Sequence, residues 1–282
     1  MSYYYTVSET DELRLLMREI DDLQARIDEK KPMQPDRWQA VTDKLKMEWT
    51  YDSNAIEGST LTLGETIFFL REGLTVEGKP LKDFVDARNH AEAIDFLYEV
   101  ISDQRPITEG LITEINALLL KGVEYTDAVD PAGKKTRKKA TPGQYKKTPN
   151  TVIQLDGTIH EYTDPFQVTT EMEELIAWIN GHIGSEHGLI IGAVAHYNLT
   201  RIHPFDDGNG RGTRLLMNLI FIKKGMSPTV IRNEQRRLYL DTLAKADKGD
   251  LEPFVRFVGK SLVSTQKTIV ENLQTIILQG NT

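Results

Sequence analysis

The sequence predicts an all-α protein, a helical bundle around a central helix pair with one small β-hairpin. Three observations predict it. Apolar residues recur at three-and-four spacing along most of the 282-residue chain, the mark of helices with one buried face. Two mostly apolar stretches, Gly188–Thr200 and the run L-L-M-N-L-I-F-I from Leu215, flank one dense polar segment and read as helices in contact within the core. A single segment, Thr151 to Tyr162, has strand-like runs on either side of an Asp156-Gly157 turn.

In chain order, Leu13, Leu16, Ile20, Leu23 and Ile27 place an apolar stripe on a helix over about Glu9 to Glu29. A second helix opens near Pro35-Asp36, carries Trp38, Val41, Leu45 and Trp49 inward, and ends at Glu57-Gly58-Ser59, where glycine suits a C-terminal cap. Leu63–Leu70 reads as a short helix, Gly73–Pro80 as a turn and Lys82–Ile101 as a longer helix. Thr108 caps a further helix through Leu119. Thr170–Ile183 is amphipathic, and Gly192, Ala193 and Ala195 in the next segment allow a neighbouring backbone to come close. Two helices, about Glu234–Asp247 and Leu251–Leu278, complete the chain. His90 and His196 fall among apolar neighbours and read as core histidines. The N-terminal helices, residues 1–58, are expected to adjoin a larger unit over 59–282, and the first helix offers a surface for a homodimer.

Composition narrows the function classes. No apolar run reaches the roughly 18 to 20 residues of a membrane span. The start, M-S-Y-Y-Y-T-V-S-E-T, lacks a basic region followed by an apolar stretch, so a cytoplasmic location is expected. The chain has no cysteine, which excludes disulfides and thiolate metal sites. A net charge of −8 argues against bulk nucleic-acid binding, and no DNA-binding module follows the core helices. Seven basic residues between Lys134 and Lys147 form a local exception without periodicity. That segment is either a solvated loop or a docking surface for an acidic partner.

The chemistry concentrates in His203–Arg214, H-P-F-D-D-G-N-G-R-G-T-R. A glycine-bearing turn that runs into a helix aims several N–H groups at one point, an anion site suited to phosphate. Arg211 and Arg214, three apart, share a helical face near that end, where cations oppose the helix dipole and call for an anion. His203 can act as a general base, since an unperturbed imidazole is largely neutral at pH 7. Asp207 supplies a hard oxygen ligand for Mg2+ bridging nucleotide phosphates, and the amides of Gly208, Asn209 and Gly210 cradle those phosphates. The opposing reading is a solvated turn with incidental arginines, which leaves the coincidence of these groups in twelve residues unexplained.

The same twelve residues match the Fic signature H-x-F-x-[DE]-G-N-G-R-x-x-R at each fixed position, so the chain resembles the Fic family from about Ser53 to Phe257. The resemblance implies a Fic fold and transfer of AMP from ATP, with Mg2+, to a Ser, Thr or Tyr hydroxyl of a target protein. It implies that His203 deprotonates that hydroxyl, Asp207 binds Mg2+, and Gly208, Asn209 and Gly210 hold the α- and β-phosphates. Arg211 then supports the phosphates and Arg214 takes the γ-phosphate. Tyr239 and Asp247 fall on the adenine side, with Asp247 standing where the family pattern has asparagine. The hairpin becomes a flap holding the target segment, through Thr151, Val152, Ile153, Ile159 and Tyr162. S-N-A-I-E-G, with Ser53, Glu57 and Gly58, resembles the inhibitory motif of the class restrained by its own N-terminal segment, and Glu57 is expected to pair with Arg214. Other reactions fit the same site: removal of AMP, with Glu57 aligning water, or transfer of UMP or phosphocholine. An ATP-sensing regulatory module and a toxin-like growth inhibitor are readings from other classes.

Overall fold

The computed structural model describes residues 3–129, 135–153 and 159–274. Among them are ten α-helices and two separate two-stranded antiparallel sheets. Helix α1 (Asp11–Lys30) starts at Thr10, whose hydroxyl accepts from the Leu13 N–H at 3.1 Å. Helix α2 (Pro35–Ile56) uses proline at its first position, where a missing N–H costs nothing. It stops at Glu57 and Gly58, the latter at φ +97°, a conformation that favours glycine. Helix α3 (Leu63–Glu72) opens with a reciprocal capping box between Thr62 and Glu65. Helices α4 (Leu81–Ser102) and α5 (Glu109–Leu119) follow, α5 capped by Thr108 as its sequence predicts.

Strands β1 (Tyr125–Val129) and β2 (Lys135–Lys139) come next, then β3 (Thr151–Ile153) and β4 (Ile159–Glu161). The sequence predicts only the β3–β4 pair, so β1–β2 corrects the reading of the basic segment as a loop without regular structure. This ladder was invisible to hydrophobic periodicity because K-T-R-K-K carries no apolar alternation. Its register sets Asp127 opposite Arg137. The β3–β4 register pairs Thr151 with Glu161 and Ile153 with Ile159. The Asp156-Gly157 turn and Lys134 lie outside the described residues.

Helices α6 (Val168–His182), α7 (Gly188–Ile202), α8 (Asn209–Lys223), α9 (Arg236–Ala246) and α10 (Glu252–Gln274) form the rest. The α7–α8 pair is the centre of the bundle: nearly every residue of α7 is buried, and α8 is buried from Thr213 through Phe221. Helix α1 lies along α10, and its stripe of Leu13, Leu16, Ile20, Leu23 and Ile27 is covered. Leu16 of α1 and Leu189 of α7 converge on Gly259 of α10, where no side chain would fit. One continuous hydrophobic cluster crosses the expected 58/59 division, running from Leu13 to Leu273. No helix of the described residues is long and apolar enough to cross a membrane.

Gly192 is the closest point of the central pair, since a Cβ there would overlap the Phe221 ring. Gly192→Ala therefore forces α7 and α8 apart, and overpacking of this kind costs about 1–3 kcal/mol. Urea denaturation should show a lower midpoint at unchanged slope, and Gly181→Ala, where nothing stands within 4 Å, should not reproduce it.

Candidate active site

Helix α7 ends where the site begins. His203 is its C-terminal cap and adopts φ +50°, a left-handed conformation uncommon for a residue with a side chain. Its N–H donates to the Leu199 carbonyl at 3.0 Å, and Nδ1 lies 3.4 Å from the Thr200 carbonyl oxygen. A proton on Nδ1 shared with that carbonyl leaves the lone pair on Nε2, the tautomer a general base requires. Tyr162, just past β4, stacks on the imidazole with ring centres 3.7 Å apart and planes at 18°. Burial raises the Tyr162 phenol to about 12, with the Glu57 and Asp247 carboxylates adding to the shift.

The loop from Pro204 to Gly208 is fixed by amide side chains. Asn209 accepts from the Phe205 N–H at 3.0 Å and donates to the Phe205 carbonyl at 2.7 Å. Gly208, at φ +78°, is the N-cap of α8, and the Asn209 side chain braces the loop, so the phosphate cradle expected here falls to the Asn209 backbone amide. Asn116 of α5 donates to the Asp207 carbonyl at 2.9 Å and accepts from the Gly143 N–H at 2.9 Å. Because α8 starts with no side-chain cap, its first N–H groups have no intrahelical acceptor and face the cavity.

Arg211 and Arg214 are both buried on the first turns of α8. Arg211 pairs with Asp86 of α4 at 2.7 Å and lies 3.7 Å from Asp207. It was expected to support the phosphates, and it lines the same cavity beside these two carboxylates. Arg214, 2 % exposed, donates from Nε to Ser53 Oγ at 3.0 Å. Its Nη2 donates to the Ser53 carbonyl and to Glu57 Oε1, each at 2.8 Å. The expected Glu57–Arg214 pair is thus present, and Ser53 joins it. Burial pushes the Glu57 carboxyl up, but Arg214 foremost, then Arg211 and His203, outweigh it and hold it below the ordinary value. The carboxylate also sits against the Gly210 backbone, where a Cβ would overlap Oε1. Glu57 occupies the mouth of the helix terminus that an anionic ligand would use.

A cavity of about 390 Å3 opens over this terminus, within the ~300–1,000 Å3 of small-ligand sites. His203, Asp207, Gly208, Asn209, Gly210 and Glu57 line it. Asp207 keeps 32 % of its side chain exposed there, while its Oδ1 accepts from the Gly208 N–H at 2.6 Å. No group of three or more His, Asp or Glu among the described residues forms an all-protein metal cage. Mg2+ needs none, since phosphates and water complete its octahedron around one or two carboxylates. An exposed Asp207 beside a helix N-terminus fits that ion and a phosphate chain.

Other expected residues fall elsewhere. Tyr239, expected on the adenine side, is buried, lies 3.0 Å from His196 Nε2 through its hydroxyl and also interacts with Arg214. Asp247 is exposed at the end of α9 and accepts from the Tyr197 hydroxyl at 3.2 Å. The side chains of Thr151, Val152, Ile153 and Ile159 lie outside the described residues. His90 and His196 are fully buried, and burial first, then Arg214, holds both well below the ordinary imidazole value.

Sequence reasoning missed Asp86, Asn116 and Lys138. Lys138 of β2 pairs with Asp206 at 2.5 Å, and Thr141 donates to the same carboxylate at 3.0 Å, so the basic segment is tied into the motif loop. Asp86 and Asn116 carried a signal, each a polar residue on a helix face otherwise turned inward.

Residues 106–221 match the Fic/DOC family model. The protein adenylyltransferase Fic of Drosophila erecta is 30 % identical over 220 residues, covering 78 % of this chain and 40 % of the relative. The Drosophila virilis protein of the same name is equally similar, with 41 % of its length covered, so the chain spans about two fifths of these relatives. A Fic domain-containing signalling protein from Bacteroides thetaiotaomicron superposes at TM-score 0.80 with 28 % identity, over 91 % of this chain and 97 % of that one. Fic-1 from Caenorhabditis elegans superposes at 0.78 with 27 % identity, over 93 % and 73 %. With the motif intact and these likenesses extending well beyond it, the chain carries a Fic/DOC family domain.

Proposed function

We propose that this chain is a protein adenylyltransferase that transfers AMP from ATP to a hydroxyl of a target protein and is restrained by its own Glu57. The observation that carries the reading is the convergence, in one cavity, of His203, the open N-terminus of α8 and the Glu57 carboxylate on Arg214. The curated relatives named for this activity support the choice of reaction.

The triphosphate lies along the start of α8, where peptide N–H groups meet its negative charge. Asp207 would hold Mg2+, which would supply charge neutralisation to the phosphates. His203 takes the proton from the incoming hydroxyl on Nε2 while Thr200 holds Nδ1. The hydroxyl oxygen forms its bond to the α-phosphorus as the bond to the bridging oxygen breaks, and pyrophosphate leaves. Arg211, braced by Asp86 and lining the same cavity, supports the phosphates.

Restraint follows from competition. A γ-phosphate must take the Arg214 guanidinium that Glu57 holds, and a triphosphate shifted by about 1 Å loses roughly two orders of magnitude in rate. The Glu57 carboxylate also lines the cavity near His203, which favours water alignment for AMP removal as the second reading.

Incubation with α-labelled ATP tests the scheme. Glu57→Gly should raise self-labelling by about two orders of magnitude, and adding His203→Ala should return it to background. Unchanged labelling in the first variant refutes the restraint; persistent labelling in the double variant refutes the base. In the Glu57→Gly background, Asp207→Ala should remove the dependence on Mg2+ together with the activity, and retained magnesium-dependent labelling would overturn its metal role. Asp86→Asn should lower stability by about 3 kcal/mol in urea, because a buried guanidinium loses its charge partner. A shift under 1 kcal/mol would show that Asp207 alone compensates Arg211.

A further inference from the structure

The described residues hold one buried lysine, and the chemistry above does not use it. Lys146, 3 % exposed, lies between β2 and β3. Its backbone N–H donates to the Pro204 carbonyl at 2.8 Å, and its Nζ donates to the Ile202 carbonyl at 3.4 Å. One residue therefore grips the chain immediately before and immediately after His203. The Nζ also stands 5.9 Å from the centre of the Tyr162 ring, within the reach of a cation–π attraction, and that ring covers the His203 imidazole.

These contacts surround a backbone that needs them. The left-handed conformation of His203 is strained for a residue with a Cβ, and such strain persists only where the surroundings over-determine it. Burying an ammonium is unfavourable against burying an apolar chain of equal length, so its presence here calls for a task. The carbonyl of Ile202, in the last turn of α7, is one of the helix-end acceptors that lack an intrahelical donor, and a cation suits it.

We propose that Lys146 is a positioning residue for the reaction: with Tyr162 it holds His203 in the left-handed conformation that aims its imidazole at the incoming hydroxyl. The inference rests on the assignment of His203 as the base. Lys146 touches no reacting atom in this scheme; it acts through the main chain on both sides of the base and through the ring stacked on it. Burial draws the Lys146 ammonium down to about 8, while Asp164, Asp206 and Glu171 draw it back up and Lys138 adds to the lowering. Tyr162, whose ring the ammonium faces, stays neutral through that range. The cation is therefore lost just above physiological pH, and the hold on His203 weakens with it.

The test uses the full chain carrying Glu57→Gly. Lys146→Met should lower kcat for self-labelling at least tenfold with KM for ATP within twofold. Lys146→Arg, which remains charged, should keep most of the activity and move the alkaline fall in rate upward by more than one pH unit. In 13C-histidine-labelled protein, the His203 ring signal, identified by its absence in His203→Ala, should shift in Lys146→Met at pH 7. A kcat within twofold of the parent, a loss confined to KM, an unmoved alkaline limb in Lys146→Arg, or an unshifted His203 signal overturns the proposal. If Glu57→Gly is itself inactive, the transferase reading fails, and the ring signal alone decides the positioning role. If Lys146→Met does not fold, the arginine variant's pH profile decides it.

Discussion

Two buried guanidiniums sit on the first turns of a helix whose peptide dipoles already make that end positive, and the rest of the site answers this constraint. Helix α8 cannot move away, because α7 packs on it down to the Gly192–Phe221 contact. Anions must come to Arg211 and Arg214 instead. Asp86 arrives from α4, Asp207 from the loop, and Glu57 with Ser53 from α2. Two helices distant in sequence are thus drawn to one point, and the cavity is the space left between them. A single uncompensated guanidinium at that depth would cost several kcal/mol, more than most surface features could offset.

The delivery of Glu57 depends on how firmly α2 is held. Asp52 accepts from Arg232 at 3.0 Å and from the Asn233 N–H at 2.8 Å, and Arg232 also pairs with Glu48 at 2.7 Å. Arg236 donates to the Ile56 carbonyl at 2.8 Å, meeting one of the acceptors left open at the helix end. The segment after α8 therefore grips the last two turns of α2 while α8 itself takes the side chains of Ser53 and Glu57. The Glu57 side chain is 43 % exposed, against 3 % for the arginine it holds, so the carboxylate meets Arg214 from the solvent side of the pair.

Much of this was legible in the sequence, and particular residues show why. The start of α2 at Pro35, its end at Glu57-Gly58 and the Thr108 cap of α5 are local signals that tertiary packing did not override. The motif gave the loop and helix start, and the spacing of Ser53 and Glu57 gave a carboxylate and hydroxyl on one face of α2. What the sequence hid was mostly pairing. Asp86 lies 125 positions before Arg211, and nothing local marks either as the partner of the other. The contacts of Asn209 with Phe205 and of Tyr239 with His196 are likewise set by the fold and have no local mark in the sequence. The β1–β2 ladder escaped for a different reason, since a strand that buries no apolar stripe leaves no periodic trace.

The proposed restraint has a consequence for how it is released. Arg214 is 2 % exposed with Glu57 on it, and a guanidinium stripped of its charge partner at that depth lies several kcal/mol above the paired state. Release by simple departure of Glu57 is therefore slow and unfavourable. Exchange avoids that state: an arriving phosphate shares Arg214 while the carboxylate swings away, and Ser53 keeps Nε occupied throughout. On this argument the triphosphate is itself part of the mechanism of release, and the two anions compete for one cation. The balance between them is set by whatever biases Glu57 outward, because the arginine and the helix behind it have nowhere to go.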